Sequence, residues 1–96
     1  MINGDIKTFV DTLYYGTDIS LKYNGKRLLI DGWYENDIYH LRMVDYDNPK
    51  DQTSIYNFEI SNENNNKVVE EFLSKEIWNG KKFYDEAQNI EWTDEF

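Results

Sequence analysis

The feature that most constrains the fold is the dipeptide Asn24-Gly25, which stands between two segments with the pattern of strands. Residues 19–23 alternate between apolar and polar side chains, which is the period of a strand with one buried face. Asn-Gly favours a positive φ at both central positions of a two-residue turn. We therefore predict an antiparallel hairpin whose second strand runs over residues 26–34.

Two further strands are predicted beyond this hairpin. A turn at Glu35-Asn36-Asp37 leads into a third strand over 38–46. A polar loop over 47–53 contains the only proline, and 55–60 again has the pattern of a strand. Strands that follow one another in this way predict an antiparallel meander of three or four strands.

An amphipathic helix is predicted before the first strand. Its apolar residues recur at i, i+3, i+4 and i+7, the spacing of one helix face. They are Ile6, Phe9, Val10 and Leu13. Asn3 or Asp5 can cap the start of this helix, and Gly16 can supply the left-handed residue at its end.

Two more helices are predicted after the last strand. Ser61 or Asn62 caps the first of them, and residues 78–80 end it. Its apolar face consists of Val68, Val69, Phe72 and Leu73. A short final helix covers 82–90. Helices gathered on one face of an antiparallel sheet form a two-layer α+β sandwich, which we predict as a single domain over residues 1–96.

The charge of the chain limits its classes of partner. Nineteen Asp and Glu stand against ten Lys and Arg, a formal net charge of -9, and the aromatic content of 17% is typical of a folded protein. So acidic a surface repels nucleic acid and anionic membranes and attracts cationic proteins. The alternative is that the charge serves solubility alone.

The chain has no cysteine, no signal peptide at its start and no apolar run long enough for a membrane span, so we expect it in the cytoplasm of a host cell.

Histidine offers little support for catalysis. His40 is the only histidine, and alternation places it on the third strand opposite Tyr39, Leu41 and Met43. A histidine there is typical of a surface position, and no serine has the setting of a nucleophile elbow. We expect that the protein is not an enzyme and needs no cofactor.

A calcium loop is the one metal site that the spacing suggests. Asp45, Asp47 and Asp51 follow the third strand closely. The full pattern also requires a glycine at the sixth position and a glutamate at the twelfth, where the chain has Lys50 and Tyr56. No metal site is therefore predicted.

Two surface features are candidates for binding a partner. Carboxylates at strand ends and in loops can each accept an arginine fork, as a row of phosphates does, although a solvated rim is the alternative. The predicted partner-binding residues are Asp18, Glu35, Asp37, Asp45, Asp47 and Asp51. The second feature is an excess of tyrosine, eight in all, which favours an interface but also suits ordinary sheet packing.

One set of segments bears directly on function. It comprises DISLK at 18–22, ISNE at 60–63, VEEFLS at 69–74, WN at 78–79 and FYD at 83–85, with Gln88 and Ile90. Together these segments resemble small phage-encoded anti-CRISPR proteins that inhibit Cas9. The resemblance implies an αβββαα fold and an acidic surface that occupies the site where Cas9 reads the protospacer-adjacent duplex.

The resemblance also implies a partner and a set of contacts. Asp18 matches an acidic residue after the first helix of the family, and Asp45, Asp47 and Asp51 match its acidic loop. The expected partner is Cas9 with its guide RNA, bound by a monomer or a weak dimer that contacts neither nucleic acid nor membrane. The lysine pair at 81–82 departs from the family, which has acidic residues before its Phe-Tyr pair.

Other functions stay open. An immunity protein or antitoxin, or another phage protein with a basic host partner, would have the same electrostatics, and an adjacent gene for a basic toxin would favour that class. A small enzyme is the third class, with His40 as its one histidine base. For the acidic decoy, we expect that reversing Asp45 and Asp47 to lysine weakens partner binding and leaves the fold intact.

Overall fold

The computed structural model describes residues 1–94, in which five strands form one antiparallel sheet of order β4-β3-β2-β1-β5. The strands are β1 Ile19–Tyr23, β2 Lys26–Glu35, β3 Ile38–Asp45, β4 Phe58–Asn62 and β5 Glu91–Trp92. The helices are α1 Ile6–Tyr15, α2 Asn65–Ser74 and α3 Phe83–Glu86, with a 3₁₀ turn at Ala87–Asn89. Buried residues of the helices and of one sheet face share a single core, which confirms the predicted α+β class.

Two tight turns set the register of the three long strands. Asn24 and Gly25 have φ of 49° and 75°, and Asn36 and Asp37 have φ of 54° and 65°. Positive φ at both central positions matches the right-handed twist of the flanking strands. The predicted hairpin is therefore confirmed, and the β2–β3 turn has the same form.

Helix α1 has the predicted boundaries. The Asp5 carboxylate caps its start and accepts from the Thr8 backbone N–H at 2.8 Å, and this hydrogen bond lowers the pKa of Asp5. Gly16 ends the helix with φ of 73°. A β-carbon on Gly16 would lie 2.8 Å from the backbone oxygen of Gly32, so glycine lets the helix end lie against β2.

The core joins the two ends of the described chain. The Phe9 ring of α1 stacks on Phe83 at 4.9 Å between ring centres and meets the edge of Trp92 at 5.6 Å. Trp78 lies edge-on to Tyr23 at 5.3 Å. Burying one such side chain contributes about 1.5–3 kcal/mol, so this aromatic packing is a large part of the stability.

The fourth strand begins later than predicted. It covers Phe58–Asn62 and not 55–60. The Asn57 side chain donates to the backbone oxygens of Asn48 and Asp51 at 2.9 and 2.8 Å and accepts from Asp45 N–H at 2.6 Å. These bonds hold the residues before β4 in turns, against their strand-like pattern.

The C-terminal helices also differ from the prediction. Because β4 continues to Asn62, the cap of α2 is Asn64, which accepts from Asn66 N–H at 2.9 Å, and neither Ser61 nor Asn62. The last helix is shorter than 82–90 because Ile90 is extended and leads into β5. Strand β5 was not predicted, since a strand of two residues has no periodic signal.

Candidate functional site

The structure divides the predicted partner-binding residues among three places on the sheet. Asp37 precedes β3 and Asp45 ends it, so about eight residues of extended chain, roughly 26 Å, separate them. Asp18 lies on the connection between α1 and β1, beside the middle of β2. The six carboxylates therefore form no single row.

We call one end of the sheet the loop end, defined by Lys26, Arg27, Asp45, Asp47, Asp51 and Asn57. Asp45 is only 2% exposed there. Its carboxylate accepts from Lys26 Nζ and from the Asp47 backbone N–H, both at 3.2 Å. The expectation that Asp45 is an exposed partner-binding carboxylate is wrong, because it continues the inward alternation of Tyr39, Leu41 and Met43 along β3.

Asp47 and Asp51 are exposed, but bonds within the loop end engage both. The Arg27 guanidinium forks onto Asp47 and lies 4.6 Å from the Tyr46 ring centre. The hydrogen bond from Arg27 and its charge lower the pKa of Asp47. Asp51 accepts from the Thr53 hydroxyl and backbone N–H at 2.6 and 3.0 Å, which lowers its pKa too. A partner's cation would compete with these internal bonds.

We call the opposite end the acidic end, defined by Tyr15, Tyr34, Glu35, Asp37 and Glu63. All five are exposed, Tyr15 by 79% and Tyr34 by 58%. Within residues 1–94, no cation lies at ion-pair distance from any of its three carboxylates.

Three elements meet at the acidic end. The start of α2 is tied to it by Asn65, whose amide donates to the Tyr34 hydroxyl at 3.1 Å. The Tyr34 ring also lies 4.8 Å from Tyr39, whose hydroxyl donates to the backbone oxygen of Leu13 in α1. Exposed tyrosine is enriched at protein interfaces, and these contacts hold the Tyr34 ring in a fixed position.

Sequence reasoning missed part of this surface. It did not single out Tyr15, Tyr34 or Glu63. The register pairs Tyr34 with Tyr39 and Tyr39 with Asn62. Glu63 follows Asn62 directly and therefore lies near both tyrosines. Alternation along the strands could have predicted this neighbourhood, had β4 been placed correctly.

The sheet face away from the helices, which we call the open face, carries His40. Its ring stacks on Trp33 with 5.1 Å between centres and 6° between planes, and its Nδ1 lies 3.3 Å from the Glu59 carboxylate. The predicted strand face of His40 is confirmed. No hydrogen bond joins it to a serine among the described residues, and the stack on Trp33 fixes its orientation.

A small cleft on the open face lies beside Asp18. It has a volume of about 130 Å³ and is lined by Asp18, Leu29, Ile30, Asp31, Arg42 and Val44. Arg42 forks onto Asp31, with nitrogen–oxygen distances of 3.2 and 2.9 Å. Asp18 has no such cation within residues 1–94, so the cleft contains one carboxylate that is free to bind.

A buried polar pair lies near the loop end. The Tyr23 hydroxyl donates to Glu86 at 2.8 Å, and Glu86 is 8% exposed. Burial and this bond raise the pKa of Tyr23 to about 12. Asp85, the neighbour of Glu86 in α3, is exposed and points to a different side of the helix.

Comparisons with known proteins leave the family open. No protein-family model matches the chain, and no curated protein or solved structure matches it significantly. Within residues 1–94, no helix has the length and apolar character needed to cross a bilayer. The same residues contain no group of three or more histidines and carboxylates placed to hold a metal ion.

Proposed function

We propose that this protein binds a cationic partner protein through the acidic end and covers the surface with which that partner holds nucleic acid. The proposed action is occlusion and involves no catalysis. The resemblance of the sequence to anti-CRISPR proteins makes Cas9 with its guide RNA the specific candidate, with target DNA recognition as the step that is blocked.

The absence of cations around Glu35, Asp37 and Glu63, within the described residues, is the observation that carries the proposal. A carboxylate already paired inside its own chain must exchange one cation for another, which gains little. A carboxylate without a cation gains the whole interaction with a partner's arginine. Carboxylate–arginine pairs that are desolvated in an interface couple strongly.

The distribution of the cations supports the same surface. Lys75, Lys81 and Lys82 follow α2, which runs from the acidic end toward the other end of the sheet. The lysine pair that departs from the anti-CRISPR pattern is therefore remote from Glu35 and Asp37. Lys67, in the first turn of α2, is a positive charge near the acidic end, and a cationic partner meets it together with the three carboxylates.

The experiment is cleavage of target DNA by several Cas9 orthologues, each loaded with guide RNA, with and without this protein. We expect inhibition of at least one orthologue that weakens as salt is added, because exposed charges are screened. The variant Glu35→Lys/Asp37→Asn should lose inhibition at least tenfold. Asn is chosen at position 37 because it tolerates the φ of 65° there.

The matched control is Glu76→Lys/Asp85→Asn, which makes the same change in charge at exposed positions after α2. It should inhibit like the original protein. No inhibition of any orthologue would remove Cas9 as the partner. Equal losses in the two variants would show that net charge matters and that the acidic end is not the binding surface.

A further inference from the structure

We infer that the open face of the sheet is the interface of a weak symmetric dimer, in which a second copy of this chain covers it. The inference is independent of the proposed function, because it uses the flat face and leaves the acidic end at its border. Its basis is the local charge balance of this face and its half-buried apolar side chains.

The open face is charge-balanced, unlike the chain as a whole. Outside the acidic end, its described strand residues carry three cations and three carboxylates. The cations are Lys22, Arg27 and Arg42, and the carboxylates are Asp31, Glu59 and Glu91. Since the chain has a net charge of -9, two copies repel each other less at this face than at the acidic end.

Apolar side chains lie at two places on the open face. Leu29 and Val44 are directly opposite each other on β2 and β3, and both are half-buried. Trp33 lies four residues further along β2, stacked on the His40 ring, and the Asp31–Arg42 ion pair separates it from Leu29 and Val44. A second sheet packed about 10 Å away would remove the exposed parts of these side chains from water.

The cleft beside Asp18 makes the face self-complementary. In a two-fold dimer each contact occurs twice, with the two residues exchanged between the copies. Arg42 and Asp18 line the same cleft, and half of the Arg42 side-chain surface is exposed. The Arg42 of one copy can therefore reach Asp18 of the other, which has no cation of its own within residues 1–94.

The size of the face sets the strength of the dimer. Four strands about 4.8 Å apart and five to ten residues long cover on the order of 400 Å² in each copy. Twice that area is below the roughly 1,200–2,000 Å² buried in stable complexes. We therefore expect dissociation constants on the order of 0.1–1 mM, and a monomer in dilute solution.

The test is sedimentation equilibrium of the full chain from roughly 20 μM to 2 mM, a range set to bracket that affinity. The average mass should rise from 11.6 kDa toward twice that value. The variant Val44→Glu places like charges at the centre of the face and should weaken association at least tenfold. The control Tyr84→Glu adds the same charge at an exposed ring on α3 and should weaken it less than twofold.

If Val44→Glu fails to fold, Val44→Thr takes its place in the test. Thr keeps the β-branched shape and should also weaken association. Amide shifts on dilution, followed by NMR, should be concentrated at Asp18 and at residues 29–33 and 40–44. A mass that stays at 11.6 kDa throughout, equal losses in the Glu variants, or shifts confined to the β4 edge at 58–62 would each overturn the inference.

Discussion

At the loop end, Asp45, Asp47 and Asp51 each accept hydrogen bonds from within the chain, whereas Glu35 and Asp37 at the acidic end accept none from residues 1–94. Both groups follow or precede strands and look alike in the sequence. The difference is whether backbone donors and cations face them after folding. The carboxylates of the loop end are engaged by the fold, whereas Glu35 and Asp37 have no such partners within residues 1–94.

Charge reversal should separate the two ends most strongly. Asp45→Lys would bury an ammonium group next to that of Lys26 and, against the expectation from the sequence, should destabilise the protein by about 4 kcal/mol because position 45 is buried. Glu35→Lys is exposed and should change the free energy of unfolding by less than about 0.5 kcal/mol. Urea unfolding measures both, and equal losses would end the distinction between the ends.

The acidic end should instead be sensitive to packing. A β-carbon on Gly32 would collide with the Tyr39 hydroxyl and lie 3.1 Å from the Gly16 Cα. We expect Gly32→Ala to cost about 2 kcal/mol in urea unfolding. In a Tyr39→Phe background the added cost should be smaller by about 1 kcal/mol, because the colliding oxygen is gone. Additive losses would show that the hydroxyl is not the obstacle.

Alkaline pH should weaken the chain near the loop end. The folded pKa of Tyr23 is about 12, above the ordinary value of 10, so its contribution is complete below pH 10 and is lost as pH rises toward 12. Over that window the free energy of unfolding of Tyr23→Phe should fall by up to about 2 kcal/mol less than that of the original chain. The measurement is the difference between the two unfolding curves at pH 8 and pH 11.5, and parallel curves would contradict it.

The smallest effect is expected at acid pH. Hydrogen bonds from Thr53 lower the folded pKa of Asp51 below its ordinary value of 3.8, so its contribution is complete above that pH and is lost as pH falls further. Asp51→Asn should therefore lose less stability than the original chain between pH 4 and pH 2. Urea unfolding at the two pH values measures this, and identical losses in the variant and the original chain would contradict it.

Local signals in the sequence were sufficient for much of the fold. Asn24-Gly25, the Asp5 cap and Gly16 each act within a few residues, and the structure has all three. The start of β4 and strand β5 depend on distant partners, Asp45 and Leu21, that no local pattern reveals.

The candidate site was harder to predict than the fold. Alternation along β3 already places Asp45 on the inward face, which the sequence alone could have shown. The fork between Arg27 and Asp47 joins residues twenty positions apart, so it depends on the β2–β3 register. Composition predicts an acidic surface, but only the folded chain separates the engaged carboxylates from the others.

The contact of Phe9 with Phe83 and Trp92 has a consequence for synthesis of the chain. The first helix leaves the ribosome long before Phe83 and Trp92 are synthesised, and the bond from Trp92 N–H to the Ile2 oxygen can form only after that. Until then its apolar side is exposed, as in other chains that depend on distant contacts. Slow translation of the last third should therefore prolong its exposure to chaperones and proteases.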